Sequence, residues 1–97
     1  MITHRYLPAA REELIEAAAF YQAAAPGLGD DFLDDVERAI ETLQEHPRMG
    51  AQAGRSFRKL HIRRFPFTLI YADRADEIVI VAVAHQRKRP GYWRRRQ

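Results

Sequence analysis

The side chains in this sequence that could do chemistry are basic and aromatic, and they concentrate between Phe57 and Arg96. Within the segment FRKLHIR, Lys59, His61 and Arg63 recur at every second position. Successive side chains of a strand point to opposite faces, so this spacing predicts a basic stripe on one face of a strand. Arginine binds phosphate through a bidentate fork, and histidine can transfer a proton near neutral pH. The stripe therefore predicts contact with a polyanion and includes a candidate for proton transfer.

A second basic group follows the apolar stretch EIVIVAVA, which predicts a central strand over residues 77–84. If that strand continues, His85, Arg87 and Arg89 share one parity and extend the electropositive surface. The chain then ends in aromatic and basic residues, namely Tyr92, Trp93, Arg94, Arg95 and Arg96. Aromatic rings stack on bases, and arginine can stabilise the charge of a phosphoryl transition state. The alternative for Tyr92 and Trp93 is that they fold back and cap the core.

Other kinds of chemistry find little support in the sequence. Ser56 is the only serine and has no nucleophile motif around it. The four histidines show no metal-ligand spacing, and the chain has no cysteine and no glycine-rich phosphate loop. The carboxylates crowd onto predicted helices, where a solvated face is the expected role. We therefore expect no metal and no cofactor.

The charge is divided unevenly along the chain. The first fifty residues carry ten acidic and four basic side chains, whereas residues 51–97 carry twelve basic and three acidic ones. The N-terminal segment has no long apolar run, and the absence of cysteine suits a reducing compartment, so we expect a cytoplasmic protein without membrane contact. With 97 residues, we expect a single domain over 1–97 whose basic side faces a polyanion or an acidic partner.

The apolar periodicity indicates which elements position these residues. It predicts a strand, two helices and three more strands, over residues 2–7, 9–25, 30–45, 57–63, 65–71 and 77–84. Proline and glycine at 26–29 separate the helices, and residues 48–54 form a loop. The expected fold is α+β, with a helical hairpin packed on a mostly antiparallel sheet. The predicted core places Leu60, Phe67, Leu69 and Ile80 beneath the helices, opposite Phe32, Val36 and Ile40.

Four segments, in order, carry a resemblance to a known family. PGLGDDF at 26–32, HPRMG at 46–50, RRFPFTLIY at 63–71 and VAHQRKRPGYW at 83–93 resemble the RelE/ParE superfamily, toxins of type II toxin–antitoxin systems. They are most similar to the ParE-like branch, which includes plasmid stabilisation proteins. The resemblance implies a growth-inhibiting toxin that is neutralised by a small antitoxin encoded beside it. We expect that antitoxin to offer an acidic, amphipathic segment that folds on binding.

The resemblance implies two different targets. RelE-like members cut mRNA on the ribosome. By strand register, Lys59 matches one of their catalytic lysines, and His61 lies where a second catalytic lysine is expected. Arg87 matches an arginine that follows their last strand. His85 is a further candidate for proton transfer. Two positions depart from that pattern: Thr68 lies where an arginine is expected, and Trp93 lies near the expected tyrosine, although Tyr92 is adjacent. An indole N–H cannot serve as an acid or base in proton transfer.

ParE-like members instead poison DNA gyrase and lack that catalytic set. These departures favour gyrase as the target. The alternatives are a ribosome-dependent endoribonuclease and a degenerate toxin that retains only antitoxin binding. The residues predicted to bind the target or a polyanion are Arg63, Arg89, Tyr92, Trp93, Arg94, Arg95 and Arg96. For a gyrase-binding toxin, we expect Trp93 and the cluster Arg94–Arg96 to be the anchors.

Overall fold

The computed structural model describes residues 2–96. In chain order the elements are β1 (Thr3–Tyr6), α1 (Pro8–Ala24), α2 (Leu28–Glu45), β2 (Ala51–Gln52), β3 (Arg58–His61), β4 (Phe67–Arg74), β5 (Glu77–His85) and a 3-10 helix (Arg94–Arg96). The predicted α+β fold and the order of its main elements are confirmed, because the helical hairpin packs on one face of the sheet. No helix within residues 2–96 is long and apolar enough to cross a membrane.

The five strands form one sheet in the order β1-β5-β4-β3-β2. β1 pairs with β5 in parallel, and the other neighbouring strands pair antiparallel. β2 was not predicted from the sequence, where its residues were assigned to a loop. It consists of two exposed residues, Ala51 opposite Lys59 and Gln52 opposite Arg58, and so short a strand carries no alternation of apolar and polar residues.

β5 is apolar at nearly every position because both of its faces are buried, and a β-bulge interrupts it. Ile70 of β4 pairs with Ala82, whereas Tyr71 pairs with Ile80, so Val81 is an extra residue on β5. The bulge shifts the parity of the side chains, because one residue has no partner. Ile78 and Ile80 before the bulge, and Val83 after it, all pack on the helix side. Val81, Ala82 and Ala84 pack on the opposite side.

The main core lies between the sheet and the helical hairpin. Leu69, Tyr71 and Ile80 of the sheet are fully buried there with Phe32 and Val36 of α2. Leu60 packs at the margin of this cluster and is only partly buried. The predicted core is therefore confirmed, with Leu60 at its edge.

Two glycines are required by close approaches rather than by flexibility. A Cβ on Gly29 would lie 2.5 Å from the carbonyl oxygen of Ala18, so this residue lets α2 approach α1. A Cβ on Gly50 would lie 2.6 Å from the Tyr71 hydroxyl. That hydroxyl accepts a hydrogen bond from the Gly50 N–H at 3.0 Å and donates to the Pro47 carbonyl at 2.7 Å. The segment HPRMG is thereby fastened to the sheet.

Candidate functional site

The face of the sheet that the helices leave uncovered, here called the open face, carries a cleft of about 440 Å³. β3 places Lys59 and His61 at its wall, since both are exposed and alternate with the inward-facing Leu60. The other polar and basic residues of this basic cleft are Thr68, Gln86, Lys88 and Arg94. The cleft therefore joins the predicted basic stripe of β3 to the segment after β5.

His61 is held in the cleft by Thr68. The two residues are directly opposite each other in the register of β3 and β4, and His61 Nδ1 lies 2.7 Å from Thr68 Oγ1. Thr68 is buried apart from 7% of its surface. A threonine hydroxyl can donate or accept a hydrogen bond, so it fits either tautomer of the imidazole. Thr68 orients the ring but supplies no positive charge, in contrast to the arginine that the resemblance leads one to expect there.

His85 does not join His61. Its ring centroid lies 5.0 Å from that of Phe67, and both residues line a groove of about 330 Å³ beside α1, on the helix side of the sheet. β5 ends at His85, and the chain then turns, with the Lys88 N–H donating to the His85 carbonyl at 2.9 Å. The parity predicted for His85, Arg87 and Arg89 is therefore wrong, because no strand continues through them.

The remaining basic residues of the two predicted groups lie in exposed turns. Arg87 and Arg89 follow the end of β5, and the Arg87 N–H donates to His85 Nδ1 at 3.0 Å. Arg63 is exposed but lies beyond the end of β3, so it does not share a strand face with Lys59 and His61. The structure thus brings together Lys59 and His61 and leaves His85, Arg87 and Arg63 outside the basic cleft.

The C-terminal segment folds back onto the open face. Trp93 is only 5% exposed and packs edge-on against Phe57, with a centroid distance of 5.0 Å. It belongs to a second small core with Ile70, Val81 and Ala82. Trp93 therefore folds back and caps the core, which is one of the two roles that the sequence allowed for it. Contact of its ring with a target stays a prediction. The guanidinium of Arg94 lies 5.5 Å from the Trp93 ring, and Arg94 and Arg95 are exposed.

The carboxylate of Glu13 fastens this segment to α1. It accepts hydrogen bonds from the Tyr92 hydroxyl at 2.6 Å, from both Nη atoms of Arg96 at 2.8 Å and from the Val83 N–H at 3.0 Å. Arg96 Nη1 also donates to the Val81 carbonyl at 3.1 Å. These bonds satisfy the edge of β5 beyond the end of β1. We call this set of contacts the Glu13 latch.

The latch perturbs the acidity of its members. Burial by itself raises the pKa of Glu13, but the hydrogen bonds from Arg96, Tyr92 and the Val83 N–H together hold that pKa below its ordinary value. Burial, together with the hydrogen bond to Glu13, raises the pKa of Tyr92, so its hydroxyl stays protonated. Arg96 is engaged by Glu13, which distinguishes it from Arg94 and Arg95.

A second carboxylate was also expected to lie on a solvated helix face. Asp35 of α2 is 7% exposed and accepts two hydrogen bonds from Arg64, from Nε at 2.9 Å and from Nη2 at 3.0 Å. These bonds hold the pKa of Asp35 below its usual value. The expectation of solvation is wrong for Asp35 and for Glu13, since each carboxylate pairs with an arginine distant in sequence. No local pattern in the sequence reveals either pair.

Most of the basic residues in the second half have no carboxylate partner. Among residues 2–96 the ion pairs are Arg5–Glu77, Arg38–Asp35, Arg64–Asp35 and Arg96–Glu13. Of the twelve basic residues after position 50, only Arg64 and Arg96 are therefore paired within this part of the chain. Basic side chains that lack a carboxylate partner create a positive field, which attracts anions.

Comparisons with known proteins agree with this architecture. A family model described as the ParE toxin of type II toxin–antitoxin system, parDE, matches residues 5–90. Nine chains from solved structures match, and one of them belongs to a structure described as "Chromosomal ParDE TA system from P. aeruginosa". That match has a TM-score of 0.75 at 20% identity and covers 88% of this chain and 96% of that chain, which shows a common fold. No curated protein sequence matches.

Proposed function

Since this chain belongs to the ParE toxin family of type II toxin–antitoxin systems, we propose that it inhibits growth by binding DNA gyrase. Membership of the family implies an antitoxin partner. The proposed antitoxin presents an acidic, amphipathic segment, because the second half of the toxin carries ten basic side chains without a carboxylate partner in residues 2–96. Such a segment would neutralise the toxin by covering its basic surface.

One observation supports gyrase over RNA cleavage: the candidate catalytic residues are separated. Lys59 and His61 line the basic cleft, whereas His85 packs against Phe67 on the other side of the sheet. Arg87 follows in an exposed turn. General acid–base cleavage of a phosphodiester needs its acid, its base and its charge stabiliser around one phosphate. A binding toxin has no such requirement.

The second candidate, a ribosome-dependent endoribonuclease, has its own support. Lys59 and the oriented imidazole of His61 share one cleft, and an imidazole held by a hydrogen bond is suited to proton transfer. In this mechanism Lys59 would stabilise the phosphate charge and His61 would move the proton. Arg87 would reach the phosphate from its turn.

The test begins with growth. Expression of the chain alone should arrest growth, and co-expression of the product of the neighbouring small open reading frame should restore it. Unchanged growth upon expression of an intact, folded chain would remove the support for a toxin.

The target is then decided with purified protein. We expect the chain to inhibit supercoiling by gyrase and His61→Ala, His85→Ala and Arg87→Ala to retain inhibition. A variant that removes exposed charge, Arg94→Ala with Arg95→Ala, is preferable to truncation after Tyr92, because truncation also deletes the buried Trp93 and the latch residue Arg96. Ribosome-dependent mRNA cleavage that is lost in Arg87→Ala or His61→Ala would instead establish the endoribonuclease.

A further inference from the structure

The basic cleft on the open face is one of three neighbouring depressions lined by basic side chains. Arg94 lines the cleft and also a second depression, whose wall includes Ser56, Asp73 and Arg74. Ser56 and Asp73 in turn line a third depression, together with the basic residues Arg48, Arg55 and Arg58. Neighbouring depressions share lining residues, so they are adjacent, and together they are here called the groove. It runs from the open face across the edge of the sheet to the helix side, where Arg58 lies opposite Tyr71.

The charge of this groove is almost entirely positive. Its arginine side chains after position 50 are Arg55, Arg58, Arg74 and Arg94, and none of them forms an ion pair within residues 2–96. Arg58 is held in place by its Nη1, which donates to the Gly50 carbonyl at 2.8 Å and to the Arg48 carbonyl at 3.3 Å. Asp73 is the one carboxylate on the wall of the second and third depressions.

We propose that this groove binds the phosphodiester backbone of a nucleic acid, without reading its sequence. Arginine forks recognise phosphate oxygens, and several unpaired arginines along a groove can contact several phosphates of one chain. The aromatic residues at the groove are the partly buried Phe57 and the buried Trp93, so bases find little surface on which to stack. Contacts to the backbone therefore dominate.

The identity of the nucleic acid rests on the proposed function. Gyrase acts on duplex DNA, so a toxin that binds gyrase would meet DNA held by its target. An acidic protein segment is the competing occupant, but it lacks the regular spacing of phosphates, and the second and third depressions offer it few apolar contacts beside Phe57 and Ala72. The groove therefore favours a polynucleotide.

The test measures the binding of a short fluorescent duplex DNA to the purified chain by anisotropy, with no gyrase present. We expect binding that weakens steeply with salt, with a slope of log affinity against log salt of about −0.9 for each phosphate contacted. Arg55→Ala with Arg74→Ala should reduce the magnitude of that slope by about 2. The control, Arg11→Ala with Arg63→Ala, removes the same charge from exposed positions outside the groove that form no ion pair within residues 2–96, and it should change the slope far less.

A substitution that increases the affinity for DNA provides an independent test, because it does not remove a contact between a side chain and the DNA. Asp73→Asn removes the carboxylate from the groove and should tighten DNA binding at low salt. Asp76→Asn removes the same charge from the exposed turn before β5, outside the groove, and should tighten it much less. Equal effects of Asp73→Asn and Asp76→Asn would show that net charge alone determines binding and would overturn the proposal.

Two further comparisons separate the possible occupants. A single-stranded RNA of equal length that binds more tightly than the DNA, with the same dependence on Arg55 and Arg74, would support the groove and identify mRNA as the source of the phosphates. Polyglutamate should displace the DNA only in large excess of charge. Displacement at equal charge would assign the groove to an acidic protein and overturn the proposal. Inhibition of gyrase by a chain that binds no nucleic acid would overturn this inference while leaving the proposed function intact.

Discussion

Replacing Glu13 by glutamine should release the C-terminal segment from α1. The carboxylate accepts hydrogen bonds from both Nη atoms of Arg96, from the Tyr92 hydroxyl and from the Val83 N–H. Glutamine keeps the shape of the side chain but loses its charge and presents an NH₂ group where an oxygen had accepted. Arg96 would then remain 20% exposed without a counter-charge. The change therefore perturbs the whole latch and leaves the main core untouched, whereas Trp93, which belongs to the second core, becomes more exposed.

The burial of the pair determines the size of the effect. Removing one partner of a fully buried ion pair costs about 3–5 kcal/mol, whereas an exposed pair contributes about 0–1 kcal/mol. The side chains of Arg96 and Glu13 are 20% and 17% exposed, which places the pair between these limits. We expect Glu13→Gln to lower the free energy of unfolding by about 2–3 kcal/mol. For a domain of this size, that corresponds to a fall in Tm of roughly 10 °C or more.

Urea denaturation followed by circular dichroism measures this free energy, and fluorescence reports on the segment itself. Trp93 is the only tryptophan, and its burial makes its emission sensitive to release of the segment. We expect a red shift in Glu13→Gln under native conditions. Glu16→Gln, in an exposed position on the same helix, is the matched control. A double-mutant cycle with Arg96→Met should give a coupling energy above about 0.5 kcal/mol. Equal stabilities of Glu13→Gln and Glu16→Gln, or a coupling energy near zero, would refute the latch.

Three further changes test the core, a close approach and the buried carboxylates. Leu69 is fully buried, so Leu69→Ala should lower the free energy of unfolding, measured by urea denaturation, by about 2–5 kcal/mol. The control Ile15→Ala, at an exposed site, should lower it by less than about 0.5 kcal/mol. Similar losses in the two variants would contradict the assignment of the inner face of β4. Gly50→Ala would place a Cβ 2.6 Å from the Tyr71 hydroxyl and 2.7 Å from the Lys59 carbonyl oxygen, so urea denaturation should show a loss of stability. Tyr71→Phe removes only the first of these contacts, so Gly50→Ala should cost less in that background but should still destabilise. A Gly50→Ala variant as stable as the wild type would argue against the close approach. Glu13 and Asp35 have lowered pKa values, so their stabilising effect should be complete above the ordinary pKa of a carboxyl group and should disappear as the pH falls through their folded-state pKa values. Asp35→Asn should flatten part of this pH dependence, and an unchanged pH profile of unfolding would show that the Arg64 pair does not contribute.

The fold followed from patterns that are local in sequence. Phe32, Val36 and Ile40 recur at helical spacing, and Phe67, Leu69 and Tyr71 alternate as in a strand, so both elements and their buried faces were predictable. The bulge at Val81 was not, because a stretch that is apolar at every position gives no parity to follow. The two residues of β2 were missed for a related reason, since a pattern needs more than one repeat to be detected.

The site was predicted less completely than the fold. Lys59 and His61 were correctly assigned to one exposed face, because β3 is regular there. His85 and the arginines after it were extrapolated along a strand that ends at His85, where the Gln86 N–H bonds to the Pro66 carbonyl and the chain turns. The groove formed by Arg55, Arg74 and Arg94 escaped detection, since these residues lie on three separate segments of the chain.

By itself the sequence determined the family, the order of the main elements, the inward face of each long element and the excess of positive charge in the second half. These properties depend on residue type and on spacing within single elements. Only the tertiary structure decided which charges are neutralised and which remain free. Glu13 meets Arg96, and Asp35 meets Arg64, across long distances in sequence. Such pairings depend on how the C-terminal segment and the β3–β4 turn pack against the helices, and no periodicity in the sequence encodes that packing.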